Sequence, residues 1–372
     1  MLKENISLSQ LMTLVINFLL GSAIIIGVGK SAEQDAWIAM ILSTVLGLAI
    51  MYFYYFLISR LPGKNLYEIM EHCFKRYLVI PAAFLYIIYF LYISSRVVRD
   101  FGELIASAIL PHTPIEMISL TIALTMGYIL YLGIEVLGRT SEIFSPYVVL
   151  FVLLLTIFLL ASGNLEFSRI EPVLGEGIMP VAKAVFPSLF VFPFGELIAF
   201  TVILGKVTNF KYVKRVSLMG TAIAGLLLTH ATILMVMTLG SDAMVRSNFP
   251  MLSAARQVSI GNFIERIDAL VVFIMMLGIL IKGSVFLFGA LKGLEYVFRL
   301  PYRYFALPMS AVVSLFSVLI SVNFADHLEE GLVVVPYFVH LPMQFGIPSV
   351  LLAVLLWKNR SRKRSGKNGV KC

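Results

Sequence analysis

Phe192-Pro193-Phe194-Gly195-Glu196 interrupts an apolar run that extends from about Val185 to Leu204. An apolar run of about 20 residues is the length that crosses a bilayer core as a helix. The proline inside it removes a backbone donor, and the carbonyls it frees need partners that lipid cannot supply. Glu196 then puts a carboxylate where charge is expensive, which marks a candidate functional site. The plainer alternative is a proline-kinked span whose glutamate is satisfied by a neighbour.

The rest of the chain sets this break in a membrane. Of its 372 residues, 59% are hydrophobic and 13% charged, with a mean hydropathy of +0.93. A soluble domain carries about 25% charged residues, so the composition describes a polytopic membrane protein. The net charge of +8 is concentrated in the tail Lys358–Lys371. A basic segment after a last span orients the protein and touches anionic lipid, so no nucleic-acid partner is expected. Cys73 and Cys372 cannot build a disulfide framework or a metal cluster. No cleavable signal is read, because Glu4 offsets Lys3 and the first apolar run is long enough to span.

Ten spans are predicted, at about 10–29, 36–59, 80–108, 116–133, 143–162, 185–204, 216–240, 266–289, 304–321 and 335–357. Twenty loop and tail lysines and arginines fall on one side of this arrangement and six on the other. Both termini are therefore expected in the cytoplasm. Asn65-Leu66-Tyr67-Glu68 reads as a capping box opening a short cytoplasmic helix. Outside, Leu252, Ala255, Val258 or Ser259, Phe263, Ile264 and Ile267 recur at near-helical spacing, which predicts an amphipathic helix over 250–267.

The spans divide into five and five, giving a first repeat 1–165, a second repeat 166–357 and a basic cytoplasmic tail 358–372. Each half opens with an interrupted span: Gly21-Ser22-Ala23-Ile24-Ile25-Ile26-Gly27-Val28-Gly29 in the first, Phe192–Glu196 in the second. An odd number of spans per half gives the halves opposite topology. Interrupted helices at matching positions of such halves point to a midplane binding site. Half-helix N-termini there offer unpaired N–H groups to an anion, and freed carbonyls can take an ammonium or a cation. A zwitterionic amino acid meets both demands, as do other small polar ligands.

Several stretches in this order carry a resemblance. They are Gly21-Ser22-x-Ile24-x-x-Gly27, Tyr92-Ile93-Ser94-Ser95-Arg96-Val97-Val98-Arg99-Asp100-Phe101-Gly102-Glu103, the Phe192–Glu196 break, Pro250 followed by Asn262-Phe263-Ile264-Glu265-Arg266-Ile267-Asp268, and the short basic tail. Over nearly the whole chain they resemble the amino acid–polyamine–organocation transporter superfamily and, within it, the B subunits of GerA-type spore germinant receptors, also called spore permeases. The resemblance implies an all-α polytopic fold of ten transmembrane helices in a five-plus-five (5+5) inverted repeat, LeuT-like, with broken first and sixth helices. It also implies a place in the inner membrane of a bacterial spore, beside an A subunit and a lipoprotein C subunit. The ligand would be a small nutrient, often an amino acid or a sugar. Typical transporters of the superfamily carry two further helices after the ten, and their absence here favours the receptor branch.

The candidate ligand-binding residues are Gly21, Ser22, Tyr92, Arg96, Phe194, Gly195 and Ser284. Gly21 and Ser22 offer backbone and a hydroxyl at the first break, or else small-residue helix packing. Phe194 and Gly195 form the matching backbone at the sixth. The third span places Arg96, Arg99, Asp100 and Glu103 on one stripe, which cannot face lipid cheaply. It is either an ion-pair ladder, Arg99 with Glu103 and Arg96 with Asp100, or a site in which Tyr92 closes over the ligand and Arg96 draws in a carboxylate.

Glu196, Lys282 and Glu103 are candidates for gating or ion coupling. Glu196 can serve as ligand-amine partner, as proton-coupling carboxylate or as structural partner of a basic side chain. Lys282 either mimics a bound cation inside the bundle, as in some superfamily members, or snorkels towards the cytoplasm. Thr121 and Thr125 are expected to bond to their own helix. No catalytic residues, cofactor or metal site are expected, since His72, His112, His230, His327 and His340 lack ligand spacing and triad partners. Three functions remain open on sequence: a nutrient receptor subunit, a proton- or sodium-coupled amino acid transporter, and an assembly subunit with an empty pocket.

Overall fold

The computed structural model describes residues 5–260, 264–265 and 267–368. The expectations for Lys3, Asn262, Phe263, Arg266, Lys371 and Cys372 lie outside the described residues. The first span is built from α1 (Leu8–Leu20) and α2 (Ala23–Ile26), and the second is α3 (Ala36–Ser59). A short α4 (Leu66–Cys73) precedes α5 (Arg76–Ala108), α6 (Ile115–Leu132) and α7 (Ile134–Ala161). The sixth span, Ile178–Val202, opens with α8 (Ile178–Lys183). Then come α9 (Val213–Leu239), α10 (Ser241–Arg246), α11 (Pro250–Ala255), α12 (Asp268–Phe298), α13 (Arg303–Leu319), α14 (Phe324–Glu329) and α15 (Ile347–Asn368).

Among the described residues, nine helical segments are long and apolar enough to cross a membrane. The number rises to ten when α13 and the helix starting at Phe324, which meet at 110°, count as one bent span. The ten expected spans are therefore present, with ends shifted where polar residues extend a helix. α7 starts at Ile134 rather than near 143, because an Arg139–Glu135 pair of 2.7 Å decorates its first turns. The last candidate span, Pro336–Asn359, lies close to the expected 335–357, and the helical segment before it, α14, starts at Phe324. Asn323 caps it, its side chain accepting from Asp326 N at 2.9 Å. Hydropathy misses such a start, because Asp326, His327, Glu329 and Glu330 read as loop.

Both predicted breaks are present. Gly21 (φ 23°, ψ −125°) ends α1 in a conformation that L side chains rarely adopt, its N–H donating to Asn17 O. In the sixth span Phe192 is extended (φ −129°, ψ 120°), as the residue before a proline prefers. A second interruption at Phe186 (φ −122°, ψ 128°) precedes Pro187. The same Phe-Pro dipeptide marks it in the sequence.

The predicted amphipathic helix over 250–267 is not formed. α11 ends at Ala255, and Gln257 and Val258 donate to carbonyls only three residues back, which tightens and stops the helix. The chain then pairs β1 (Ser259–Ile260) antiparallel with β2 (Ile264–Glu265). The β-branched Val258 and Ile260 suit that extended course.

α12 is the axis of the bundle, packing most extensively on α5 and also against α1, α6 and α7. On the cytoplasmic side of the predicted topology, α4 ties three elements together. Its capping box is as the sequence predicts, with Glu68 N donating to Asn65 Oδ1 at 3.1 Å and Asn65 N to Glu68 Oε2 at 2.7 Å. Tyr67 donates its hydroxyl to Gly289 O of α12 at 2.8 Å, and Lys358 of α15 donates to the carbonyls of His72 and Cys73. Burial raises the Cys73 thiol pKa against the pull of Lys358, which keeps it protonated. Replacing Asn65 with Ala is predicted to cost about 1 kcal/mol of α4 stability. Faster amide hydrogen exchange over Leu66–Ile69 is the expected readout; unchanged exchange would show that packing alone holds the helix.

Candidate functional site

The sixth-span break comes to rest beside α12. Glu196 Oε2 lies 2.6 Å from Lys282 Nζ, with the two side chains 3% and 0% exposed. Lys282 occupies the middle of a 31-residue helix, so the snorkelling alternative is overturned: its ammonium is buried in the bundle. The ring of Phe192 lies 4.2 Å from that ammonium and the ring of Phe18 5.6 Å, an arrangement that adds cation–π attraction. Of the three readings of Glu196, the structure realises the partnership with a basic side chain.

Gly21 makes room for this pair. A Cβ at Gly21 would stand 2.6 Å from Lys282 Cδ, and one at Gly278 would stand 2.9 Å from Gly21 Cα. The first break is therefore pressed against α12 by backbone and lysine stem. Phe194 likewise turns away from the interior space and seats its ring on Gly47 of α3.

Backbone groups freed by prolines are taken up by buried polar side chains. Tyr54 donates to Gly195 O and contacts Gln344 O, both at 3.0 Å. Pro348 has no N–H to offer Gln344 O four residues back, so this carbonyl needs such a partner. Tyr86 serves Met343 O at 2.8 Å, and Gln344 Nε2 donates to Tyr89 Oη at 2.9 Å and to Val191 O at 3.3 Å. Tyr89 also pairs with His340 Nδ1 at 3.0 Å.

A small cavity, 40 Å³, lies where these elements converge. Its walls include Ile26 after the first break, Phe192 and Glu196 at the sixth, Arg96 and Asp100 of α5, and His340 of the last helix. A water needs about 10–15 Å³ on this measure, so the cavity has room for a few waters and is too small for an amino acid. The third-span ladder is half as predicted. Arg99 pairs with Glu103 at 2.7 Å. Asp100 instead meets His327 Nε2 at 3.0 Å, while Arg96 donates to Tyr92 Oη at 3.2 Å and to the carbonyl of His327. The expected Arg96–Asp100 pair is thus replaced, because α14 brings an imidazole and a carbonyl against the stripe. Among the described residues no carboxylate lies within ion-pair distance of Arg96, although Asp100 and Glu196 share the cavity wall with it.

Of the ten candidate residues, Arg96 and Glu196 line the cavity, and Lys282 reaches it through Glu196. Tyr92 is half-buried one turn away, under Arg96. Glu103 is held by Arg99, and Gly195 by Tyr54. Ser22 and Ser284 are fully buried, and neither hydroxyl has a hydrogen-bond partner among the described residues. Thr121 and Thr125 donate to their own helix, as expected. Sequence reasoning missed His327, His340, Tyr54, Tyr89 and Gln344. Pro336, Pro342 and Pro348 were the available signal, since each announces carbonyls that a polar side chain must meet.

The family profile of the spore permeases, described as spore germination protein, matches residues 5–325. The chain belongs to this family. Spore germination protein KB of Bacillus subtilis (strain 168) is 33% identical to this spore permease over 98% of each chain. Spore germination protein YndE of the same organism is 25% identical over 97% of this chain and 99% of its own. Among solved structures, Mhp1, a nucleobase-cation-symport-1 family transporter in a closed conformation with bromovinylhydantoin bound, superposes with a TM-score of 0.63. The alignment covers 95% of this chain and 76% of that one at 15% identity, which shows a shared LeuT-like transporter fold. The relatives named here are germination proteins and a transporter rather than enzymes.

Glu196→Gln in this permease leaves the Lys282 ammonium buried without a counter-charge. A loss of about 3–5 kcal/mol is expected, read as a lowered thermal midpoint in detergent. Glu196→Gln with Lys282→Met removes both charges and is expected to restore most of the loss. Equal instability of single and double variants would refute the pairing as the cause.

Proposed function

We propose that this chain is the nutrient-binding subunit of a spore germinant receptor. A small nutrient, an amino acid by preference, binds at the midplane cavity between the first, third, sixth and last spans. The observation that carries this reading is the Arg96 guanidinium on the cavity wall, which makes no ion pair among the described residues. A half-buried guanidinium without an ion-pair partner can take a ligand carboxylate as its counter-charge. Gly21, Ser22, Phe194, Gly195 and Ser284 shape the surrounding breaks, and Tyr92 orients Arg96. Glu196, Lys282 and Glu103 belong to the gate.

Admitting an amino acid requires the small cavity to expand, so the ligand binds one arrangement of the bundle better than another. Such differential affinity is what a receptor needs. The two halves, 1–165 and 166–357, would move against each other as inverted repeats. An A subunit and a lipoprotein C subunit would read that motion in the inner spore membrane, with both termini of this chain in the cytoplasm. The same fold supports a second reading, a proton- or sodium-coupled amino acid transporter, favoured by a buried carboxylate facing the cavity. Uptake of labelled amino acids by the protein alone in proteoliposomes decides between them: robust coupled uptake would sink the receptor-only reading.

Arg96→Gln is predicted to weaken nutrient binding at least about tenfold, the worth of one hydrogen bond to a charged group. The measurement is the nutrient-dependent thermal shift of the reconstituted complex, with Arg96→Lys as the charge-retaining control. An unchanged shift in Arg96→Gln would remove Arg96 from the site.

A further inference from the structure

Away from the midplane site, α5, α6, α7 and α12 leave an open groove of about 570 Å³ between them. Its floor is apolar throughout: Phe101 and Ile105 of α5, Ile118 and Ile122 of α6, and Leu277 and Leu280 of α12. Thr121 and Thr125 border it, but each spends its hydroxyl on its own helix at 2.8 Å. These two threonines therefore offer an occupant no hydrogen-bond donor. The volume is that of a small-molecule pocket, roughly 300–1,000 Å³. A packed helix is about 10–12 Å across and needs a broad face rather than a slot.

A charged side chain, Arg256, lies near one end of the groove. Leu110 and Thr113, in the α5–α6 turn, line that end. Two residues before Leu110, Ala108 O accepts from Arg256 Nη2 at 3.4 Å. Arg256 Nε lies 3.7 Å from Asp268 Oδ2, beyond hydrogen-bond reach, and the Arg256 side chain is 44% exposed. Its remaining N–H groups have no partner among the described residues. A guanidinium presents several donors in a planar fork that suits a phosphate.

We infer that this groove binds one phospholipid, with an acyl chain along the α5–α6–α12 floor and the phosphate on Arg256. The placement bears on the rest of the bundle. At 100° per residue, Leu277 and Leu280 occupy the side of α12 opposite Gly278 and Lys282. The chain therefore braces α12 from behind, where it presses on Gly21 and holds Lys282 against Glu196. The inference is independent of which nutrient the cavity takes.

The test uses the full chain purified in mild detergent, with native mass spectrometry and thermal unfolding. The wild type is expected to retain one phospholipid per chain and, after delipidation, to gain thermal stability on adding dioleoyl phosphatidylglycerol. Thr121→Trp, on the exposed rim of α6, fills the groove and should lose both. Leu150→Trp, on the lipid face of α7 outside the groove, should keep both. Arg256→Gln should retain the lipid about tenfold less well, as expected for loss of a charge-assisted hydrogen bond. Undiminished lipid retention by Thr121→Trp or by Arg256→Gln overturns the proposal. So does a wild-type chain whose bound mass is a second copy or another polypeptide.

Discussion

The ammonium of Lys282 and the carboxylate of Glu196 meet at 2.6 Å inside the bundle, and most of the surrounding architecture follows from keeping them there. Either charge alone would carry a desolvation penalty of several kcal/mol in such surroundings, and together they are tolerable only with close geometry. That geometry needs the lysine stem to pass the first span, which requires a residue without a side chain at Gly21. It needs the sixth span to bend so that Glu196 reaches α12, which the extended backbone at Phe192 provides. Two broken helices and one central helix are thus held by a single pair of charges.

The breaks create a second obligation. Each proline in the sixth and last spans frees carbonyls where no water is at hand. The bundle meets this with a belt of buried side chains: Tyr54 on Gly195 O and Gln344 O, Tyr86 on Met343 O, and Gln344 on Val191 O. These bonds cross between the second, third, sixth and last spans, so the irregular segments are stitched to regular ones. They also border the cavity through His340, which Tyr89 holds. On the proposed function, a ligand entering beside Arg96 would press on the same elements, and Lys358 of the last helix links them to α4.

Much of the fold was legible in the residues because lipid imposes simple rules. Runs of apolar residues gave the ten spans, and Gly21 and Phe192-Pro193 gave the two breaks. The Asn65–Glu68 box gave α4, since capping is a local interaction. The errors arose where polar residues belong to helices, as at Asn323–Glu330, and where near-helical spacing over 250–267 concealed a turn and a hairpin. Within the site, the i, i+4 pair Arg99–Glu103 was readable from spacing. The equally spaced Arg96–Asp100 was not, because α14 supplies His327 to Asp100 and a carbonyl to Arg96.

The sequence by itself determined a polytopic helical membrane protein, the positions at which two of its spans must break, and the charges that cannot face lipid. These follow from composition, backbone chemistry and the cost of burying charge, all of which act locally along the chain. Only the tertiary structure decided which charges neutralise one another. It gave Glu196 to Lys282 and Asp100 to His327, and among the described residues it left Arg96 at the cavity without an ion pair. Pairing between residues dozens to hundreds of positions apart depends on how helices pack. No spacing rule along a single helix contains that information.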